Sequence, residues 1–493
     1  MARLRKIFGS IINILSENRL AVVLIAVAVY LRLYRLPDLV TFLGDQGRDA
    51  MIIRRILLLE HFPAIGAPTS IGQIYLGPFY YYFIAPFLWF SNFNPVGLAY
   101  GVAIISITGI AFSYFVIKKF LGKNTALFFL VLVAFSAVLV EYSRFSWNPN
   151  LLPLFSFTTL YFFYLFIKTR KKIYSFALGA FFSFSIQLHY LAVFLILPIF
   201  FIIIEDLFKK KSKKNNLSDT IPAVISFLIF TSPLFIFDIK HSFVNFKSLL
   251  LLFSQKNVVP NQSFLARFLD ANCAFFNHIF KFEFNIWIAV FASLLWIVGY
   301  FSVKNKRDLF IKIHFLNLVI FIICFSFLNT PRFPHYYGPV YYSFFCVTAY
   351  LLTNLNWKKI ITPFAIFISL ALYIFLNAKG FYHLKEKSNN QIDHAQALAF
   401  GIAPYITSTL FQMIPMPQTE TDGHIRYFLE MAGHKALPEY SPKIAQELFI
   451  LCFTKDCLIL GNPQWQIASF YKPKIDKIWT VNSITVYKLV HDK

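Results

Sequence analysis

Charge is what this chain lacks most. Only 14% of its 493 residues are Asp, Glu, Lys or Arg, against about a quarter in a soluble protein. Acids number 23 against 46 bases, so few carboxylates are available for chemistry. Cysteine is scarce at five residues, none in the Cys/His spacing of a zinc module. Cys324 and Cys346 lie inside apolar runs and read as small hydrophobes. Cys452 and Cys457 bracket Phe-Thr-Lys-Asp, either as a hairpin disulfide or as two separate strand cysteines. No G-x-G-x-x-G, P-loop, H-E-x-x-H or nucleophile elbow occurs, which removes the soluble nucleotide-binding, zincin and α/β-hydrolase classes. No period of 20–50 residues repeats, and no inverted repeat of the transporter kind is visible.

What is present is apolar. The chain is 58% hydrophobic with a mean hydropathy of +0.61, and its 62 Phe and 26 Tyr suit lipid-facing surfaces and interfacial belts. A net charge of +23 would point to nucleic acid in a soluble protein. Here the bases cluster in short loops between apolar runs, so membrane topology accounts for them and no nucleic-acid partner is implied.

Apolar segments near 20–36, 95–117, 124–142, 149–167, 173–187, 189–207, 220–237, 285–303, 309–328, 338–355 and 358–377 have the length of spans, about eleven in all. The stretch 173–207 is too long for one span and breaks at Gln187-Leu188-His189-Tyr190. The run 79–90 is short, rich in Tyr and interrupted by Pro86, and reads as interfacial or re-entrant. Arg19 precedes the first run, and its Ala26-Val27-Ala28 lies mid-run, so an uncleaved first span is expected rather than a signal peptide. With the N-terminus (Met-Ala-Arg-Leu-Arg-Lys) inside, the basic groups at 118–123, 168–172, 209–214, 304–307 and 358–359 all fall on the cytoplasmic side. The loop 238–284 also carries bases, but long loops obey the rule poorly. After about residue 378 the apolar runs shorten to strand length at 448–453, 458–460 and 484–490, with a helix-like piece at 424–432 ended by Gly433. The expected fold is an α-helical polytopic membrane protein, residues 1–377, followed by a small extracytoplasmic α/β domain, residues 378–493.

Asp45-Gln46-Gly47-Arg48-Asp49 follows the first span. Two carboxylates four apart share one helix face, and Arg48 lies three residues from the first. Residues 46–60 read as an amphipathic helix lying in the membrane interface, with Asp45 at or near its N-cap. The bland alternative is that Asp45 only caps and Asp49 only pairs with an arginine. The same face supplies Arg144 and Asn148, Gln187 and His189 at the helix break, Asp238 and His241, and Arg332, His335 and Tyr336. Any one of these alone reads as an interfacial anchor. Their shared face favours a substrate site, since the other face carries mainly lysine-rich runs.

The stretch from Arg32-Leu33-Tyr34-Arg35-Leu36 through Gly44-Asp45-Gln46-Gly47-Arg48-Asp49-Ala50 resembles membrane glycosyltransferases of the GT-C class. More narrowly it is similar to the bacterial family-39 branch, related to protein O-mannosyltransferases and lipid A aminoarabinose transferases. The resemblance continues through Pro68-Thr69-Ser70-Ile71-Gly72 and Leu76-Gly77-Pro78-Phe79-Tyr80-Tyr81-Tyr82. It returns at 143–150, 237–241 and 334–337. It implies an inverting transfer of a sugar from a polyprenyl-phosphate donor at the outer face of a cytoplasmic membrane, with a protein, lipid or glycan acceptor. Asp45 then takes the place of the essential aspartate, with Asp49 as alternative or helper. Arg48, Arg144, Arg332 and His335 are candidates to meet the lipid phosphate, and Tyr81 is a candidate substrate contact. Many relatives carry a second acid beside the first, where this chain has Gln46. That departure leaves a divalent-metal requirement open, and no metal ligands are assigned. The competing readings are a transporter or flippase, and a ligase acting on whole lipid-linked glycans.

Overall fold

The computed structural model describes residues 17–69, 74–208, 217–254, 263–303, 308–357, 361–438, 441–455 and 457–492. The N-terminal hexapeptide, Ser70–Gly72 of the resemblance, and the basic groups 209–214, 304–307 and 358–359 lie outside them. The chain runs α1 (Arg19–Leu33), α2 (Gly44–Leu57), α3 (Phe79–Phe90), α4 (Val96–Leu121), α5 (Lys123–Ala134), α6 (Leu152–Thr169), α7 (Lys172–Leu188) and α8 (Ile196–Phe208). It continues through α9 (Ile221–Lys240), α10 (Val244–Ser254), α11 (Phe264–Phe280), α12 (Ile286–Ser302), α13 (Leu309–Phe325), α14 (Tyr341–Thr353), α15 (Ile361–Ala378) and α16 (Gln391–Ile402). Then come β1 (Phe411–Met416), α17 (Gly423–Met431), β2 (Glu447–Cys452), β3 (Pro473–Val481) and β4 (Ile484–His491).

Each apolar segment marked as a span is helical over most of its described residues, with 124–142 interrupted at Phe135-Ser136. By length and composition, 4 helical stretches among the described residues can cross a bilayer alone: Val96–Leu121, Asn148–Thr169, Ser218–Lys240 and Ile361–Ala378. The other apolar helices are shorter, α3 among them. The stretch 173–207 breaks where expected: α7 ends at Leu188, His189 is extended, and a 3-10 turn over Tyr190–Leu195 leads into α8. Phenylalanines fill the helical core, with Phe129, Phe157, Phe163 and Phe275 at most 1% exposed.

Polar contacts sort the helix ends. Lys118 reaches Asn18 Oδ1 at 2.7 Å and Lys123 the Glu17 carbonyl at 2.9 Å. Thr125 meets Thr353 at 3.2 Å, and Arg170–Asp206 and Lys312–Glu205 are ion pairs. These contacts gather the start of α1, the α4–α5 turn, the α6–α7 turn, the end of α8, the start of α13 and the end of α14 on one face. The candidate site residues lie at the opposite helix ends.

The C-terminal unit is a four-stranded sheet in the order β1-β2-β4-β3. β2 is buried along its whole length and pairs parallel with β1 and antiparallel with β4. Parallel neighbours need a crossover, and α17 supplies it, lying between β1 and β2 in sequence. Three sequence expectations hold here: the helix before Gly433 (φ +88), and the strands at 448–453 and 484–490. The expected strand at 458–460 does not form, because Leu458–Leu460 lies in the loop after the Cys452–Cys457 disulfide (Cα–Cα 6.1 Å). β1 and β3 carry Pro415 and alternating charge, which hid them from a hydrophobic-run reading.

α2 is amphipathic as expected, with Ala50 and Ile53 fully buried and Asp45, Arg48, Arg54 and Arg55 partly exposed, and α17 packs against it at Gly44 and Gly47. Gly47 makes that possible: a Cβ there would stand 2.2 Å from His424 N and 2.3 Å from Gly423 C.

Candidate active site

α2 begins without a side-chain cap from Asp45. Leu43 is the N-cap residue, and the Gln46 amide oxygen turns back to accept the Leu43 N–H at 3.1 Å. Asp45 is therefore the second helical residue, two places past the cap, and its carboxylate is released for other contacts. Its negative charge remains within the first turn, where the helix dipole favours it.

The 45–49 spacing then produces a closed network. Arg48 Nη1 donates to Asp45 Oδ1 at 2.7 Å, while Nη2 and Nε donate to Asp49 Oδ1 at 2.8 and 3.0 Å. Tyr81 on α3 donates its hydroxyl to the same Asp49 oxygen at 3.1 Å. The two acids differ sharply in access: the Asp45 side chain is 54% exposed and that of Asp49 0%. Burial pushes the Asp49 carboxyl above the usual aspartate range, against the pull of Arg48. For Arg48 burial works the other way, but Asp49, Tyr81 and Asp45 outweigh it and hold the guanidinium charged.

Tyr80 extends the network, since its hydroxyl meets Ser146 Oγ at 2.7 Å. Next to Ser146 lies a second group of candidates. Asn148 donates to the Leu188 carbonyl at 2.6 Å, tying the 143–150 segment to the break between α7 and α8. His335 packs 4.5 Å from the Trp147 ring, 5.8 Å from His189 and 4.4 Å from Tyr336. Burial lowers His189 to about 3 and His335 to about 4, so both are neutral at physiological pH. His335 can donate or accept a hydrogen bond there but supplies no positive charge, unlike the expectation that it meets phosphate as a cation.

The remaining candidates are occupied elsewhere. Gln187 accepts the Phe79 N–H at 3.2 Å and donates to the Phe230 carbonyl at 2.9 Å, fixing the start of α3. Arg144 is fully buried and donates to the Leu31 and Tyr34 carbonyls at 3.1 and 2.9 Å. Arg332 pairs with Asp270 at 3.2 Å, donates to the Phe325 carbonyl at 3.1 Å and lies over the Phe325 ring. Asp238 accepts the N–H groups of Asn245 and Phe246 at 2.7 and 3.2 Å, and His241 stacks on Phe237 at 4.1 Å. Among the described residues, no contact of Asp238 or His241 reaches the Asp45 network.

The C-terminal unit contributes residues that sequence reasoning missed. Gly44 N donates to Thr421 Oγ1 at 3.0 Å, and Glu430 forms ion pairs with Arg55 and, at 3.7 Å, with Arg54. Tyr427 donates to the Phe93 carbonyl at 2.5 Å, and Phe42 sits edge-on to His424, Tyr427 and Phe428. Between α2 and this unit opens a cleft of about 520 Å³, bordered by Arg48, Arg55, Thr421, Arg426, Glu430 and Lys435. The only sequence signal for it was the glycine pair Gly44 and Gly47. Among the described residues no group of three or more His, Cys, Asp or Glu side chains could hold a metal ion.

Residues 76–237 match the family described as dolichyl-phosphate-mannose-protein mannosyltransferase. No curated protein matches the chain. Among solved structures, ArnT from Cupriavidus metallidurans bound to undecaprenyl phosphate aligns with a TM-score of 0.64 at 14% identity, over 96% of this chain and 98% of ArnT. The apo state of the same protein gives 0.61 at 13% identity over the same shares. The apo oligosaccharyltransferase of Archaeoglobus fulgidus gives 0.52 at 15% identity, over 85% of this chain and 64% of the other. At such identities the likeness is one of fold. The shared fold is, in this chain, a set of apolar helices followed by a small C-terminal sheet unit.

Proposed function

We propose that this chain, built on the GT-C fold, transfers a sugar from a polyprenyl-phosphate donor to an acceptor hydroxyl on the non-cytoplasmic side of the membrane, with inversion. The observation that carries the reading is the division of labour between two acids on one turn of α2. Asp49 is enclosed and held by Arg48 and Tyr81. Asp45 is held by one Arg48 nitrogen and is otherwise open. Of these two acids, Asp45 is the one open to an acceptor.

In the step proposed, the acceptor oxygen attacks the anomeric carbon and its proton passes to the Asp45 carboxylate. The bond between the anomeric carbon and the phosphate oxygen breaks, and its electron pair leaves with the lipid phosphate. Inversion places nucleophile and leaving group on opposite sides of the sugar. Arg48, in contact with Asp45 at 2.7 Å, therefore belongs to the acceptor side. It orients the base and gives the acceptor an edge of positive charge. The phosphate falls to the group around Asn148, His189, His335 and Tyr336, joined to Tyr81 through its neighbour Tyr80 and Ser146. Neutral imidazoles there offer N–H donors where negative charge develops.

The cleft beside Arg48 gives the acceptor a route in from the C-terminal unit. Residues 1–377 would then carry the donor site and residues 378–493, on the outer side, the upper wall of the acceptor site. The match to a mannosyltransferase family over 76–237, and the binding of undecaprenyl phosphate by ArnT, support a lipid-linked donor.

The test is Asp45→Asn, which keeps size and polarity while removing basicity. The variant is expected to fold normally, to bind undecaprenyl phosphate as the wild type does, and to lose roughly two to four orders of magnitude in transfer rate. Near-normal transfer by Asp45→Asn with a dead Asp49→Asn would move the base to Asp49. Activity in both would sink the reading.

A further inference from the structure

We infer that the Arg48 guanidinium stands where a divalent cation would otherwise bridge Asp45 and Asp49, so that this site holds no metal ion. The inference rests on the transferase reading for its catalytic meaning but on geometry for its content. A bridging cation needs carboxylate oxygens aimed at one point, with further oxygen ligands completing six or more positions. Here the point between the two acids is filled by nitrogen donors. Arg48 reaches Asp45 Oδ1 at 2.7 Å and Asp49 Oδ1 at 2.8 and 3.0 Å.

Tyr81 closes the remaining approach to Asp49 Oδ1 with a third donor, at 3.1 Å. An oxygen surrounded by two N–H groups and one O–H has no direction left for a cation. Asp49 Oδ2 is buried and has no hydrogen-bond partner, yet one oxygen does not make a cation site. The residue best placed to add a ligand is Gln46, next to Asp45, and its amide oxygen is turned back to Leu43 N–H at 3.1 Å. Among the acids that border the cleft with Arg48, Glu430 is taken by Arg54 and Arg55, and Asp422 by Arg426 at 2.7 Å. A cation would have to expel a guanidinium that two carboxylates and a tyrosine keep charged, and would meet its repulsion at contact distance.

The cation's ordinary duty is to hold two carboxylates together and fix their orientation. The guanidinium does both through its rigid fork. It leaves Asp45 free to accept a proton, which a metal-bound carboxylate does poorly.

The experiment is isothermal titration of the full chain in detergent with Mn²⁺, without donor or acceptor. Its result therefore stands apart from the fate of the transferase reading. The wild type is expected to bind no stoichiometric Mn²⁺ and to keep its thermal unfolding midpoint after EDTA. Arg48→Met exposes both acids and is expected to gain one Mn²⁺ site that disappears in the Arg48→Met, Asp45→Asn double variant. Should Arg48→Met fail to fold, Arg48→Gln takes its place. One Mn²⁺ per wild-type chain, lost in Asp45→Asn, would overturn the inference. So would a folded Arg48 variant that binds none, since the guanidinium would then not be filling a cation's place.

Discussion

Replacing Gly47 by Ala is the sharpest way to ask whether the docking of α17 on α2 matters for activity. In an exposed helix the change should stabilise by about 1 kcal/mol, because Ala is the better helix former. Here the added methyl would meet His424 N at 2.2 Å, Gly423 C at 2.3 Å and Gly423 O at 2.4 Å. All three atoms are backbone and cannot rotate away. Ordinary carbon contacts begin near ~3.5 Å, so α17 must retreat from α2 by about 1 Å. Overpacking of this kind costs ~1–3 kcal/mol, which reverses the sign expected from helix propensity. The functional effect should exceed the stability effect. Arg48 and Asp45 flank Gly47, and the cleft wall moves with α17, so a displacement of about 1 Å should cost up to ~100-fold in transfer rate. The assay is transfer from a polyprenyl-phosphate sugar in proteoliposomes, beside thermal unfolding in detergent. A Gly47→Ala protein with wild-type rate and an unchanged or raised midpoint would show that the close approach of α17 plays no part in the site.

Three further expectations follow from particular residues. Arg332→Ala removes the ion pair with Asp270 and one of two hydrogen bonds to the Phe325 carbonyl, which keeps the Leu328 N–H at 3.1 Å, and should lower stability by ~0.5–1.5 kcal/mol. Its affinity for undecaprenyl phosphate should stay unchanged, and weaker binding in a folded variant would return Arg332 to the phosphate site. His189 and His335 have folded-state pKa values depressed by burial to about 3 and about 4, so they favour folding in their neutral form. That contribution is complete above their ordinary pKa near ~6.5 and is lost as pH falls from there through about 4. An unfolding midpoint that drops over this window in wild type, and less in His189→Gln, is the expected signature. Topology is tested by a reporter fused after Lys379: activity only outside the cytoplasm is expected, and activity only inside would invert the proposed orientation.

The sequence determined the class of this protein and the spacing of its candidate acids because both are local properties. Apolar runs of membrane length, with bases clustered between them, force helices wherever the chain meets lipid, since no other partner exists for the backbone there. The spacing of Asp45, Arg48 and Asp49 is likewise a one-helix matter, and the network they form follows from 3.6 residues per turn. The break after Gln187 was legible for the same reason, polar residues interrupting an apolar run. Tertiary structure decided everything that depended on what packs against these segments. It split two similar aspartates into a buried one and an open one, because α3 brings Tyr81 over Asp49 and leaves Asp45 at the edge. It turned His335 from a candidate cation into a neutral ring by enclosing it with Trp147, His189 and Tyr336. It also set α17 on Gly47 and Glu430 on Arg54 and Arg55, across more than 370 residues of chain. No local pattern carries such a pairing, because the energy that selects it comes from the closeness of two backbones and from charges that meet only once the sheet domain has docked.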